Sequence, residues 1–350
     1  MNLNRSKVSI GIIFMILFFG VNSSTLTAQV KTENNGIDKK AKDLVSQMTI
    51  EEKIGMTVGD GRYLIDVEVE KINDVWIANR NSKMIIPRLS IRTTALTDGP
   101  SGINKNPAPE GAKDYTYTTA FPTSTCLAAT WNTELVENIG KAFGNEVLEY
   151  DYDLVLMPAL NIHRDPNGGR SFEYYSEDPL LSGKMASSIV NGLQSNGIGA
   201  TLKHFLANNQ ETNRRKYNAV VSQRALREIY LRGFEIAVKE SHPRAIMTAY
   251  NKLNGFYTPE IPELLQDIVR KEWGFKGLYM TDFDMHYGDA VAQVRAGINM
   301  IMSGSKEELD QITTAIKNKT LDESTLDKNF CLLYTSDAAD DMQCVDLGGR

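Results

Sequence analysis

Cysteine is scarce in this chain. Three occur in 350 residues, and two of them, Cys331 and Cys344, lie close to the end. The body therefore has only Cys126, which excludes a disulfide framework and leaves stability to an apolar core. Histidine is equally sparse. His163, His204, His242 and His286 have no ligand spacing, and neither a His-Glu-x-x-His nor a Cys-x-x-Cys pair occurs, so no metal is expected. Basic stretches are short. Arg214-Arg215-Lys216 is the one cluster in a chain of net charge -6, which argues against a nucleic-acid partner. There is no phosphate-binding loop and no Gly-x-Ser-x-Gly elbow. Gly197-Ile198-Gly199 lacks the third glycine of a dinucleotide fingerprint. No cofactor is expected.

Long apolar runs are also rare. One spans residues 8–21, behind Arg5 and Lys7, and is followed by small and polar residues up to Ala28. Charge, short apolar centre and small residues in that order predict a secretory signal over residues 1–28. The run is short for a membrane span. The reading is an exported protein, periplasmic or extracellular, with no stable membrane anchor after cleavage. One domain is expected over residues 36–330. Residues 331–350 break its pattern and read as a non-native tail.

What the chain has in quantity is alternation. Residues 40–54 carry a helical pattern, and Thr49 with Glu52 forms a capping box that starts a second helix. Short apolar runs then recur at residues 94–97, 154–157, 199–202, 245–248, 278–281 and 299–302. Amphipathic helical stretches lie between them, for example residues 182–194 and 222–240. This is the pattern of an α/β fold with a parallel sheet and crossover helices. Six units favour a (β/α) TIM-like barrel, complete or incomplete, over a doubly wound open sheet. Asp98, Lys203, Tyr250 and Asp282 sit at or just past the ends of apolar runs, where a barrel would gather them on one face.

The densest chemistry is in Lys203-His204-Phe205-Leu206-Ala207-Asn208-Asn209-Gln210-Glu211-Thr212-Asn213-Arg214-Arg215. A cation, an imidazole, amides, a carboxylate and guanidiniums just beyond a strand suit a ligand with many hydroxyls. Asp282 ends another apolar run, where a carboxylate serves as nucleophile, base or metal ligand. No metal cluster supports the last.

Taken in order, the motifs resemble the N-terminal domain of glycoside hydrolase family 3. They are Leu44-Val-Ser-Gln-Met-Thr-Ile-Glu-Glu-Lys-Ile54, Ile86-Pro-Arg-Leu, Thr97-Asp98-Gly99-Pro100 and Phe121-Pro122-Thr123. The longest runs from Asn161 through Arg170-Ser-Phe-Glu173 to Asp178-Pro179. Lys203-His204-Phe205, Ala249-Tyr250-Asn251 and Thr281-Asp282 complete the series. The resemblance implies a retaining exo-β-glycosidase acting on a β-glucoside or oligosaccharide, most similar to β-glucosidases, with Asp282 as nucleophile. It implies that Asp98, Arg170, Lys203, His204, Arg214 and Tyr250 line the subsite of the terminal sugar. Phe283 stands where the family usually has tryptophan, beside the leaving group. The resemblance also implies an acid/base glutamate in a following α/β sandwich domain, missing from this chain. The alternatives are a β-xylosidase or other exo-β-glycosidase of the family, and a sugar-binding fragment lacking the acid. Asp165, Glu177 and Asp178 are expected to form ion pairs that brace the Arg170 loop, with His163 and Arg164 behind it. Glu173 is left open between a structural and a functional role, and His242 is read as a helix end.

Overall fold

The computed structural model describes residues 39–58, 69–72, 75–78, 84–92, 94–104 and 117–331. The expected signal segment and residues 332–350 of the expected tail lie outside these residues. The chain divides into two units, Met1–Gln47 and Met48–Arg350. In the first, residues 39–47 are helical, as their pattern predicts. The second opens with helix α1 (Ile50–Thr57), started by the predicted capping box. The Thr49 hydroxyl accepts the Glu52 amide at 3.2 Å, and the Glu52 carboxylate accepts the Thr49 amide at 2.8 Å.

Five of the six apolar runs pair into one parallel sheet. Strands β1 (Leu96–Asp98), β2 (Leu154–Leu156), β3 (Gly199–Phe205), β4 (Ala245–Thr248) and β5 (Leu278–Met280) lie side by side in chain order. Leu96 stands opposite Leu154, Leu154 opposite Gly199, Thr201 opposite Ala245, and Ala245 opposite Leu278. Every residue of β2 to β5 is buried. A parallel sheet covered on both faces needs such continuous apolar runs.

The sixth run forms no strand. Met300 and Ile301 make single parallel bridges, to Met280 and to Val58. Its first residue nevertheless ties it to the neighbouring strand. Asn299 Oδ1 takes the Tyr279 amide at 2.6 Å, and Asn299 Nδ2 donates to the Asn329 carbonyl at 2.8 Å. The backbone is bonded too: the Thr281 amide donates to the Met300 carbonyl at 3.0 Å, and the Ile301 amide to the Thr57 carbonyl at 2.8 Å.

The helices follow the crossovers. They include α2 (Thr133–Glu149), α3 (Pro179–Gln194), α4 (Arg232–Ser241), α5 (Ala290–Ala296) and α6 (Lys306–Lys317), with a π-helical stretch, Glu263–Glu272, between β4 and β5. The helix expected over residues 222–240 is broken. Ser222 caps a short α turn, and residues Leu226–Tyr230 widen into a π turn before α4. Leu226, Tyr230, Phe234 and Ala237 nevertheless all face the core. The π turn adds a residue without losing that face. His242 ends α4 in the left-handed conformation, as expected of a helix end. Residues 323–331 are helical, and Leu326 and Phe330 are buried.

Candidate active site

The C-terminal ends of the strands collect the predicted side chains. Asp98 is the last residue of β1, while Tyr250 and Asp282 follow β4 and β5 by two residues. Lys203 and His204 differ from the sequence reading. They lie inside β3, which continues to Phe205, and are not in a loop beyond it. Two peptide bonds here are cis, Lys203–His204 and Phe205–Leu206, and the pairing with β4 shifts register between Leu202 and Phe205. Asn161, itself buried, holds this stretch from both sides. Its Nδ2 donates to the His204 carbonyl and its Oδ1 accepts the His204 amide, both at 2.8 Å. The polar run is strand because a residue 43 positions away satisfies its backbone.

Asp282 is 5% exposed. Its Oδ1 accepts the Phe283 amide at 2.8 Å. Its Oδ2 lies 3.8 Å from Nε2 of the buried His204. Burial pushes the carboxyl up to about 6, while the Phe283 amide, Arg170, Lys203 and the Tyr250 hydroxyl pull in the other direction. Burial also drives His204 well below its usual range, and Arg170, Lys203 and Arg214 add to the effect, so the imidazole is neutral.

Each cation has its own carboxylate. Lys203, 3% exposed in its side chain, donates to Asp98 Oδ1 at 2.7 Å, and the Gly99 amide donates to the same oxygen at 3.0 Å. Burial works against the Asp98 charge, yet Lys203 brings its carboxyl below the usual value. Arg170 Nε pairs closely with Oε1 of Glu173, a buried residue. Burial opposes the Arg170 charge, but Glu173 and Asp282 outweigh it and hold the guanidinium more firmly protonated. Arg214 Nη1 donates to Glu211 Oε2 at 2.9 Å, and its guanidinium lies 4.6 Å over the Tyr250 ring. Burial, and then the Asp282 charge, raise the Tyr250 hydroxyl. Phe283 is half-buried.

Asp98, Arg170, Lys203, His204, Arg214, Tyr250 and Asp282 are therefore linked to one another by contacts or by mutual charge effects. The bracing of the Arg170 loop differs from the expected ion pairs. Asp165 accepts the Asn167 amide at 2.8 Å, and Asp178 caps α3 through the Leu180 amide at 2.8 Å. His163 does brace the loop, through the carbonyls of Ser171 at 2.8 Å and Tyr174 at 3.0 Å. Arg164 is exposed. The sequence reading did not single out Asn161 or Glu211. Their partners are set by folding, and only an acid three residues before Arg214 in a turn hinted at Glu211.

A buried carboxylate among cations, a neutral imidazole and a tyrosine hydroxyl now stands at the ends of the strands. A profile of the glycosyl hydrolase family 3 N terminal domain matches residues 108–333. The chain belongs to glycoside hydrolase family 3. β-Glucosidase 3B from Thermotoga neapolitana, solved in complex with glucose, superposes with a TM-score of 0.74 at 47% identity, over 83% of this chain and 41% of that one. The β-glucosidase of Kluyveromyces marxianus in complex with glucose gives 0.75 at 33% identity, over 86% of this chain and 34% of that one. Among curated relatives, an exo-alpha-(1->6)-L-arabinopyranosidase of Bifidobacterium longum is 39% identical over 288 residues, 81% of this chain and 35% of its own length. The chain spans about a third of the length of such relatives.

Proposed function

We propose that this domain belongs to a retaining β-glycosidase that removes terminal non-reducing β-D-glucosyl residues. The observation that carries the reading is the environment of Asp282: a buried carboxylate, oriented by the Phe283 amide, beside a neutral histidine and under the field of Arg170 and Lys203. Such a group is ionised above a pH of about 6 and is poorly solvated, as a nucleophile should be.

In the proposed first step Asp282 Oδ2 attacks the anomeric carbon, and the bond to the leaving oxygen breaks with its electron pair. In the second step water attacks the same carbon, Asp282 leaves as the carboxylate, and the water's proton passes to the group that served as acid in the first step. Asp98, Arg170, Lys203, His204, Arg214 and Tyr250 hold the sugar hydroxyls, and Phe283 borders the departing group. The general acid must arrive protonated. Asp98 and Glu173 are unsuited to that, because each is paired with a cation. We therefore assign the acid to a part of the protein beyond these residues, in a following α/β sandwich domain. The sheet belongs, on this reading, to a (β/α) barrel, and the protein is exported.

A competing reading is a different sugar, since one relative is an exo-alpha-(1->6)-L-arabinopyranosidase; a β-xylosidase is the other member of that class. The chain on its own would then be a binding fragment for the same ring. Turnover of 2,4-dinitrophenyl glycosides, whose leaving group needs no proton, tests all of these together. The glucoside should turn over faster than the β-xyloside and the α-L-arabinopyranoside, and Asp282→Asn should abolish all three. Faster turnover of a pentoside, or turnover that survives the substitution, would overturn the assignment.

A further inference from the structure

Glu211 touches more of the site than a surface carboxylate needs to. Its Oε2 accepts Arg214 Nη1 at 2.9 Å, and its Oε1 accepts Nδ2 of the buried Asn208 at 3.1 Å. The same Asn208 amide lies 3.3 Å from the Tyr174 hydroxyl, and Tyr174 follows directly on the Glu173 that pairs with Arg170. On its other side the Glu211 side chain packs on Gly169. A methyl group there would lie 2.9 Å from Glu211 Cγ, and the residue has a φ of +86°. The neighbouring Gly168 meets the Asn209 carbonyl in the same way, at 3.3 Å. The loop that carries Arg170 and the loop that carries Arg214 thus meet at Glu211.

Arg214 needs such a holder. It sits in an irregular turn and remains 36% exposed in its side chain, and a long side chain loses rotamer freedom when it is fixed in one place. The Tyr250 ring beneath it supplies a stacking face but no direction. A carboxylate that accepts from one nitrogen fixes that end of the guanidinium, while the Tyr250 ring fixes its plane. Glu211 cannot follow Arg214 freely, because Asn208 and Gly169 hold it.

We infer that Glu211 is a positioning residue for the sugar subsite: it fixes Arg214 over Tyr250 directly and the Arg170 loop through Gly169. It does not touch the sugar. The inference rests on the proposed sugar subsite, and its test separates the two. The chain is titrated calorimetrically with glucose, so that no acid/base group is required. Wild type should bind. Glu211→Ala should weaken binding by about tenfold or more, as loss of an orienting partner commonly does. Glu211→Gln keeps the packing on Gly169 and loses the carboxylate, so it should lose several-fold. Glu211→Ala should cost less in an Arg214→Ala background than in wild type, because one of its two routes is already gone and contacting residues that act through one another are not additive. Gly169→Ala should weaken binding in the same direction with Glu211 intact. Thermal midpoints of all variants identify any loss that comes from unfolding. Wild-type affinity in Glu211→Gln, or full additivity with Arg214→Ala, would overturn the role of Glu211 while leaving the subsite standing. Absence of glucose binding by the wild-type chain would refute the subsite and the inference with it.

Discussion

Asp282 is kept in a place that opposes its charge. Its carboxyl is raised from 3.8 to about 6 by burial. The native state therefore binds a proton more readily than the unfolded chain. The stability this carboxyl contributes is full below a pH of about 4 and is lost as pH rises through about 6. Each pKa unit corresponds to about 1.4 kcal/mol, so the penalty at neutral pH is on the order of 2–3 kcal/mol. Asp282→Asn should accordingly abolish turnover yet raise the thermal midpoint at pH 7 by a few degrees, and this gain should vanish towards pH 4. Paired melting curves across that range check the sign. Glu173 predicts the opposite. Removing its carboxylate leaves Arg170 buried without its partner, and breaking a buried pair destabilises by about 3–5 kcal/mol. Urea unfolding of Glu173→Ala should show such a loss together with loss of sugar binding. Asp98, Lys203 and Asp282 were legible in the sequence because each ends or extends an apolar run within a recognisable motif. Glu173 was left open, and Asn161 and Glu211 were missed. Their meaning lies in contacts that close only when the loops meet, and no local pattern carries that.

The sheet places these residues, and its helices are packed tightly enough to keep it rigid. Helices α2 and α3 cross at Gly140 and Gly192. A methyl group on Gly192 would stand 2.2 Å from the Glu137 carbonyl and 2.8 Å from Gly140 Cα, both backbone atoms that cannot swing aside. Gly192→Ala should therefore destabilise the fold by about 3 kcal/mol, the upper end for overpacking, while leaving the pH dependence of whatever activity remains unchanged. Denaturant midpoints and pH–rate profiles measure the two separately. The parallel sheet, the capping box at Thr49 and the end of α3 at Gln194 were readable from period and punctuation, while its first turn from Pro179 was not. Two features were not. β3 runs on through Lys203 and His204 because Asn161 satisfies the strand's backbone from outside. Residues 299–302 form only single bridges, to Met280 and Val58, and Asn299 adds side-chain bonds to the Tyr279 amide and the Asn329 carbonyl. In the first of these a distant polar side chain overrides local propensity.

At the scale of the whole molecule, chain order becomes spatial order. Five parallel strands in sequence bring residues 98, 203, 250 and 282 to one side of one sheet, although they are spread over more than half of the sequence. On the proposed function, that arrangement turns an ion-pair network into a surface for a polyhydroxylated ring, with buried Asp282 at one end as its nucleophile. The most direct measurement is trapping. The chain is incubated with 2,4-dinitrophenyl 2-deoxy-2-fluoro-β-D-glucoside, whose leaving group needs no acid and whose fluorine slows the second step, and the peptides are then sequenced by mass spectrometry. The account predicts one fluoroglucosyl group per chain, on Asp282, formed at a rate that rises through a pH of about 6 and levels off above it, and absent from Asp282→Asn. An adduct on Asp98 or Glu173, or labelling that persists in Asp282→Asn, would contradict it.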